Sequence, residues 1–487
     1  MADSSAKFVE GSTMRHILVM SGTGSIGLMS LFVVDLLDML FISMLGQTEL
    51  AAAVGFAGTL TFFATSVSIG TSIAMGALMS KAIGAKHRRY AKQLGSSVLV
   101  IAFAISAVIT AVMCFYIPEL LTAIGASGEA LERAEAYLWI LLPTSPIIAL
   151  GMACGAGLRA AGDAKRSMWA TLWGGIVNAI LDPLFIFGFG WNIEGAAIAS
   201  VIARFTVFYF SFMPLVRVHQ LLSLPSVKAL KNDVHAILAI AIPAIVTNTA
   251  TPIANAIVTT ALAKFGEDFV AGYAVIGRLT PVCFAVIFAL SGAVGPIIGQ
   301  NYGAKRIDRV SETLRNSLIV TTVYTLLVCA ILYLLREQVV QLFSLTGDAA
   351  LILVAFATYV AVTFIFNGAL FVANTSFNNL GKPLYSTALN LGKATLGTLP
   401  FVYLGAQHLG ALGVIYGQAL GNIVFGILGL IVLRFHLKEL RQTNECIAKH
   451  DPSLLAVNSQ PFCTHDAVLL EDVAKNEEGL EQPFLSG

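Results

Sequence analysis

The sequence predicts an all-α integral membrane protein, with twelve transmembrane helices in two parallel six-helix repeats around a central cavity. Three observations predict it. Of the 487 residues, 57% are hydrophobic and only 12% are charged, apolar runs of membrane-spanning length recur along the chain, and the first half is repeated in the second. Soluble domains carry about 25% charged residues. The composition therefore indicates a chain that lies largely in lipid.

Twelve apolar runs are long enough to cross a bilayer, which takes about 20 residues of helix. Each run is too long and too uniformly apolar for the alternating strands of a membrane barrel. Because the backbone must satisfy its own hydrogen bonds in lipid, we predict helices. The runs lie near residues 17–45, 51–77, 94–116, 136–158, 168–190, 195–216, 236–262, 270–296, 316–335, 350–375, 384–404 and 410–434.

Lys and Arg are distributed unevenly between the two sides of this arrangement. Of the 29 basic residues, 24 fall in the N-terminal segment, the loops after even-numbered helices or the C-terminal region, with Lys393 counted in the loop after helix 10. Cytoplasmic loops are enriched in Lys and Arg. We therefore expect a multi-pass protein of the cytoplasmic (inner) membrane with both termini in the cytoplasm and no cleaved signal peptide.

An internal repeat organises the chain. Residues 84–86 (Gly-Ala-Lys) recur at 303–305, an offset of 219. At the same offset Gly58 matches Gly277, Gly76 matches Gly295 and Gly162 matches Gly381. Near the end the offset slips, and Gly195 pairs best with Gly410. Since six helices are an even number, both halves have the same orientation. This arrangement is typical of secondary transporters, although channels and membrane enzymes are also built by duplication.

The repeat divides the chain into three predicted parts. Residues 1–234 form an N-terminal six-helix lobe, residues 235–434 a C-terminal six-helix lobe, and residues 435–487 a polar cytoplasmic tail. Polar residues and prolines interrupt any hydrophobic period in the tail, so it cannot build a core of its own. A short helix is expected at its start, through HLKELRQ.

Three carboxylates are predicted to lie within membrane spans: Asp35 and Asp38 in helix 1, and Asp182 in helix 5. An ionisable residue in a span costs about 2.5–3.5 kcal/mol on insertion scales and is by default a candidate for an ion or substrate pathway. The repeat counterparts of these acids are Ala254, Ile257 and Phe401. The sequence therefore predicts one ion site in the first half, without a twin in the second.

Depth groups Asp38 with polar residues of helices 5 and 6. Helices 1 and 5 run in the same direction, and Asp38 and Asp182 both lie roughly 10–12 Å below the ends of their spans. Ser200 lies at about the same level on the returning helix 6. Asn178 lies one turn from Asp182 on the same face. Pro183 removes a backbone donor and is the predicted hinge of helix 5.

These residues form a candidate ion-coupling site whose side chains offer only oxygen ligands: Asp38, Asn178, Asp182 and Ser200. Asp35 is an accessory candidate. Oxygen ligands suit a hard cation such as Na⁺, and two carboxylates in a low dielectric also suit a proton, so both ions stay open. The alternative is that Asp182 is only a polar hinge residue and that Asp38 only hydrogen-bonds a neighbouring helix.

In the second half, amides replace acids. Asn248 and Asn255 in helix 7 are seven residues apart, as are Asn367 and Asn374 in helix 10, so each pair lies along one face. With Arg278 in helix 8, they are candidates for a substrate cavity. The alternative is that the amides make interhelical hydrogen bonds in lipid and that the arginine packs near a helix end.

Six segments, in this order and spacing, resemble the MATE (multidrug and toxic compound extrusion) family over nearly all of residues 10–434. They are DMLFISMLGQTELAAAVG, IGAKHRRYAKQLG, GLRAAGDAKRSMWATL, NAILDPLFIFGFG, GAAIASVIAR and IGQNYGAKRIDRV. The resemblance implies two six-helix lobes around a V-shaped cavity. It also implies export of mostly cationic organic compounds driven by inward H⁺ or Na⁺.

In relatives that couple through the N-terminal lobe, the ion site uses an acid in helix 1, an Asn and an Asp four apart in helix 5, and a hydroxyl in helix 6. These roles fall on the four residues grouped above by depth. The chain departs from the family in having Ser200 where Thr is typical, and Val34 where some relatives have a polar aromatic residue. Ion choice and substrate contacts therefore stay open.

The sequence thus predicts a monomeric H⁺- or Na⁺-coupled antiporter of small organic, mainly cationic compounds. It predicts contact with membrane lipid but with no nucleic acid, and no cofactor besides the coupling ion. One alternative is a lipid-linked oligosaccharide flippase, which would need many basic residues in its cavity, whereas only Arg204 and Arg278 are expected inside the spans. The second alternative is a membrane receptor that does not transport. We expect no enzyme, because no catalytic grouping is visible.

Overall fold

The computed structural model describes residues 6–45 and 48–450, and this part of the chain is helical without strands. The helices follow the twelve predicted spans, which we label α1–α12. Their bounds are α1 Thr13–Ser43, α2 Thr48–Gly84, α3 Arg88–Phe115, α4 Gly128–Ala160, α5 Ala164–Gly188, α6 Asn192–Arg217, α7 Val227–Ala263, α8 Glu267–Cys283 with Ala285–Gly303, α9 Ile307–Leu334, α10 Gly347–Asn379, α11 Pro383–Ala394 with 399–409, and α12 411–450.

Gly410 separates the last two spans. The final apolar stretch, Pro383–Gln442, runs on for 60 residues, and Gly410 leaves the helical region with φ 61° and ψ −142°. Glycine adopts such a conformation without a steric penalty. Gly190, between α5 and α6, has a φ of 70°. Asn192, where α6 begins, also has a positive φ of 48°. Gly195, in contrast, lies inside α6, so the sequence-based pairing of Gly410 with Gly195 is wrong and the counterpart of Gly410 lies at residues 190–192.

The repeat is visible in the backbone as well as in the sequence. The 3₁₀ turns Leu142–Thr144 in α4 and Ala361–Thr363 in α10 are 219 residues apart, as are the short helices Ile117–Ala123 and Arg336–Leu342. Positive φ values repeat at the same offset: Lys86 with Lys305, Gly125 with Ser344, Gly128 with Gly347, and Gly162 with Gly381. The two halves therefore share their loop geometry.

The lobes interlock at the face of the bundle where α1 begins and α2 and α8 end, which we call the terminal face. A Cβ at Gly84 would overlap the backbone of Gln300, and a Cβ at Gly303 would overlap the backbone of Lys81. Lys81 and Gln300 are themselves repeat counterparts. The contact between α2 and α8 is therefore reciprocal about the axis that relates the lobes.

The hydrophobic cores show where the lobes separate. Near the terminal face one core joins both lobes and contains Ile17 of α1 and Leu290 of α8. Towards the opposite face, the core around Leu50 holds residues of α1–α6 and their connections, and the core around Leu262 holds residues of α7–α12 and their connections. The lobes therefore meet at the terminal face and part towards the opposite face, with a cleft between them.

The segment before α1 forms a strap across the terminal face. Phe8 is buried, its N–H donates to Oε1 of Gln300 at 3.0 Å, and its carbonyl accepts from Asn301 at 3.1 Å and Arg309 at 3.0 Å. The same segment lies against Gly162, in the loop between α4 and α5. The strap therefore bonds to the C-terminal half and packs on the N-terminal half.

At the other end of the chain, α12 continues through HLKELRQ to residue 450, which confirms the helix expected there. Residues 451–487 lie outside the described part. The predicted boundaries at 234 and 434 both fall inside continuous helices, α7 and α12. These helices extend beyond their apolar runs because polar residues continue the helical backbone outside the lipid.

Candidate functional site

The helices that carry the predicted ion site approach each other closely. A Cβ at Gly175 of α5 would lie 2.5 Å from Oγ of Ser30 and 3.3 Å from a methyl group of Val34, both in α1. Small residues allow such close helix contacts in membranes. Asp38 lies one turn beyond Val34 in α1, and Asp182 lies two turns beyond Gly175 in α5. The contact therefore brings the two acids to the same level.

Asp38 and Asp182 form a side-chain pair. Their carboxyl groups are within hydrogen-bonding reach of each other, and Asp182 is fully buried. Oδ2 of Asp182 accepts a hydrogen bond of 2.7 Å from Nδ2 of Asn178, whereas Oδ1 of each acid is buried without a partner in the protein. Two ionised carboxylates so placed repel each other. The pair is thus chemically suited to hold a proton or a hard cation.

Tyr137 of α4 also lies at this pair, and it is not among the residues that the sequence predicts for the site. Its side chain is buried, within hydrogen-bonding reach of Ser200, and close enough to Asp38 and Asp182 to feel their charges. A Tyr in an apolar span is easily interpreted as a packing residue. The hydroxyl is the one feature in the sequence that could have indicated a role at the site, because a buried phenol normally has a hydrogen-bond partner.

Arg204 of α6 bonds to the neighbouring helix α4. Its Nη1 donates to the carbonyl of Leu141 at 2.7 Å and to Oγ1 of Thr144 at 2.9 Å, at the 3₁₀ turn of α4. The guanidinium is buried and lies near Tyr137. These contacts hold α6 against α4 and give Arg204 a structural role.

Asp35 is not brought into this group. It lies on an exposed part of α1, whereas Asp38 is half-buried. It interacts with Asp38 electrostatically, and no hydrogen bond links its side chain to α5 in the described structure. Asp35 therefore adds negative charge near the pair without joining it.

Pro183 marks a change of helix type. α5 is α-helical up to Pro183, and the next five residues, Leu184–Gly188, form a π-helical turn. The N–H of Phe189 donates to the carbonyl of Leu184 at 3.0 Å. Proline lacks the N–H that an α-helix would use, and π-turns are frequent at functional sites. The helix geometry therefore changes directly after Asp182.

No hydrogen bond in the described part of the chain joins the predicted cavity residues of α7 and α8 to one another. Nδ2 of Asn248 donates to the carbonyl of Ala244 in its own helix at 2.8 Å. Asn255 and Arg278 are exposed on the surface of the chain.

Asn367, one of the predicted cavity residues of α10, bonds a lysine that the sequence analysis assigns to a loop. Lys393 lies inside α11, not in a loop, and its Nζ donates to Oδ1 of Asn367 at 3.0 Å. Asn374 is buried, and its Oδ1 has no partner in the protein. The expectation that only Arg204 and Arg278 carry positive charge inside the spans is therefore wrong. A single lysine within an apolar helix leaves the hydropathy of the run almost unchanged.

Comparison with known proteins agrees with this architecture. The sequence profile of the family described as MatE matches residues 25–184 and again residues 243–404. The second match begins 218 residues after the first (243 against 25) and ends 220 residues after it (404 against 184). The profile therefore detects the same duplication as the sequence and the backbone.

Individual relatives cover most of the chain. It is 29% identical over 419 residues to the FAD transporter of Shewanella oneidensis, covering 85% of this chain and 92% of that protein. It is 24% identical over 436 residues to the multidrug export protein MepA of Staphylococcus haemolyticus, covering 88% and 94%.

Solved structures include the Vibrio cholerae MATE transporter VcmN, with a TM-score of 0.83 at 26% identity, covering 88% of this chain and 97% of that one. An outward-facing multidrug resistance MATE transporter has the same fold, with a TM-score of 0.84 at 24% identity, covering 90% and 99%. The chain therefore belongs to the MatE family, whose members are transporters and not enzymes.

Proposed function

We propose that this transporter exports small organic compounds in exchange for H⁺ or Na⁺ bound at Asp38 and Asp182. The observation that supports the proposal is the pairing of these two carboxyl groups between α1 and α5. Asn178 orients Asp182 through a 2.7 Å hydrogen bond, and the Tyr137–Ser200 pair lies beside the acids. A bound cation or proton relieves the repulsion between the carboxylates.

The π-turn after Pro183 provides a mechanism for coupling. When the ion binds, the attraction of α1 and α5 to it draws the two helices together, and the segment after Pro183 absorbs the change because its helical hydrogen bonds are already irregular. The N-terminal lobe then holds the substrate less tightly. Since coupling is reciprocal, bound substrate weakens ion binding by the same factor.

The orientation follows from the basic residues. With Lys393 removed from the loop count, 23 of the 29 Lys and Arg residues remain on the terminal side. We therefore place the terminal face and both termini in the cytoplasm. In this orientation the cleft opens to the outside, where the driving ion enters and the substrate leaves. One chain supplies both lobes and the cleft, so we infer that a monomer suffices.

Two substrate classes are supported. The acids of α1, including the exposed Asp35, favour organic cations, and the MepA relative is named a multidrug export protein. The relative named FAD transporter makes phosphate-bearing compounds a second candidate, which the intramembrane cation Lys393 favours.

Reconstitution into liposomes tests the proposal. Purified transporter is given an imposed pH gradient or, separately, a sodium gradient, and accumulation of ethidium is followed by fluorescence. We expect one gradient to drive accumulation in the wild type and neither to drive it in Asp38→Asn or Asp182→Asn. Ion-driven accumulation that survives in both variants would contradict the proposed site.

A further inference from the structure

A polar seam runs between α10 and α11 in the C-terminal lobe. The polar residues of α10 recur at intervals of seven and four residues, and those of α11 at intervals of four and three, so each set shares one helix face. The seam consists of Asn367, Asn374 and Asn378 from α10, and Ser386, Asn390 and Lys393 from α11. Asn367 and Lys393 join the two sets through their 3.0 Å hydrogen bond.

The seam faces the inside of the lobe. Leu384, which is 69% exposed, lies on the opposite side of α11 from Ser386 and Lys393. Asn374, Asn378 and Ser386 are all more than nine-tenths buried. The lipid-facing side of α11 is thus apolar, and the polar side chains are turned inward.

Three buried polar atoms of the seam have no partner in the protein. They are Oδ1 of Asn374, Oδ1 of Asn378 and Oγ of Ser386. Because amide oxygen and nitrogen are assigned by their surroundings, each Asn can turn either a donor or an acceptor towards a ligand. Polar groups buried without hydrogen bonds are destabilising. Their recurrence along one seam indicates a site that a polar ligand completes.

Lys393 adds a positive charge that the lobe does not neutralise. Its hydrogen bond to Asn367 is to a neutral amide. The sequence contains no Asp or Glu between residues 234 and 266 or between residues 349 and 438, so the spanning parts of α7, α10, α11 and α12 lack a counter-ion. A half-buried ammonium group without an anion is costly in a membrane. An anionic ligand would supply the missing charge.

We propose that Lys393 and the seam bind an anionic group, a carboxylate or a phosphate, of the transported compound. This proposal rests on the proposed transport function. An ammonium group has three N–H donors, and the one that bonds Asn367 leaves two for the anion. The lobes then present opposite charges, with acids in the N-terminal lobe and a cation in the C-terminal lobe. Zwitterionic and anionic compounds are therefore substrates as well as cations.

Pairs of ligands that differ only in an anionic group test whether the site binds that group. Binding to the full-length transporter in nanodiscs is measured for flavin mononucleotide against riboflavin, which lacks the phosphate. A second arm compares rhodamine B, which has a free carboxylate, with its ethyl ester. In Lys393→Gln we expect affinity for the anionic probe of at least one pair to fall about tenfold or more. Affinity for its neutral or esterified counterpart should stay within about twofold.

The controls separate charge from structure. Lys382→Gln, at the start of α11, should bind all probes like the wild type. Lys393→Arg should retain most of the anion binding because it retains the charge. Asn367→Asp supplies the missing counter-ion within the lobe, so it should remove anion binding while Lys393 is still present. This variant keeps the test decisive if Lys393→Gln does not fold.

Several outcomes would overturn the proposal. Wild-type protein that does not prefer either anionic probe, or anion binding that persists in both Lys393→Gln and Asn367→Asp, excludes the site. Equal loss of all probes in the correctly folded Lys393→Gln variant excludes it as well, because the lysine then acts on coupling or structure. Gradient-driven ethidium transport is followed in the same preparations. A wild type without it would refute the proposed transport function, whereas its presence with no charge-selective effect refutes the anion site alone.

Discussion

Gly84 of α2 and Gly303 of α8 make the same contact from opposite lobes. Gly84 lies on the backbone of Gln300, three residues before Gly303, and Gly303 lies on the backbone of Lys81, three residues before Gly84. Each helix thus approaches the other to backbone distance at the terminal face. Nearer the start of the same two helices, away from the terminal face, a Cβ at Gly58 or at its repeat counterpart Gly277 would meet no atom within 4 Å.

This difference predicts opposite effects of the same substitution. Gly84→Ala and Gly303→Ala should each lower the stability by about 1–3 kcal/mol, because the added methyl group forces the helices apart. Gly58→Ala and Gly277→Ala should be neutral or stabilising by up to about 1 kcal/mol, because alanine favours the helix. Thermal unfolding in detergent checks all four. Equal stability of the Gly84 and Gly58 variants would contradict the tight crossing.

The paired acids predict a difference between two carboxylates of the same helix. Asp38→Asn and Asp182→Asn should abolish ion-driven transport, because each removes one charge from the binding pair. Asp35→Asn is the matched control in α1, since Asp35 is exposed and outside the pair, and it should retain most of the transport. The measurement is the initial rate under an imposed gradient in liposomes. Complete loss in Asp35→Asn with full activity in Asp38→Asn would reverse the assignment.

Tyr137 provides a third prediction. Tyr137→Phe removes the hydroxyl beside Ser200 and the acids, so the apparent affinity for the coupling ion should fall about fivefold to tenfold, as expected for one lost hydrogen bond. Tyr273→Phe is the matched control, because its hydroxyl bonds Gln418 at 3.4 Å in the other lobe. Transport is titrated against ion concentration. Identical curves for the two variants would exclude a role for Tyr137 in ion binding.

Asp163, between α4 and α5, predicts a pH dependence of stability. Burial raises its pKa, but hydrogen bonds from His219 (2.9 Å) and Arg166 and the charge of Arg166 outweigh this effect, so its pKa lies well below the usual range. A pKa that is lower in the folded state adds stability above the unfolded-state pKa of about 3.9, and this stability is lost as the pH falls through the folded-state pKa.

The measurement for Asp163 is the unfolding temperature as a function of pH. The wild type should exceed Asp163→Asn at about pH 5 and above, and the difference should shrink below about pH 4. Asp268→Asn, at an exposed acid, is the control and should change little throughout. A difference that grows on acidification would show that the carboxylate does not stabilise the fold in its charged form.

Much of this architecture is predictable from residues that lie near each other in sequence. Hydropathy and run length predict the twelve spans, and the 219-residue offset predicts the parallel lobes. Counting residues along helices 1, 5 and 6 groups Asp38, Asp182 and Ser200, because the rise of a helix converts sequence position into depth. The Gly195–Gly410 pairing fails because sequence identity alone does not register a short slip in the repeat.

The sequence by itself determined that the chain spans a membrane, that it is duplicated, and that its buried acids belong to one half. These properties depend on composition, periodicity and helix rise. Only the tertiary structure decided that Tyr137 lies beside the acids, that Asp35 does not join them, and that Lys393 bonds Asn367. Such contacts depend on the rotation and crossing of helices far apart in sequence, and hydropathy carries almost no information about either.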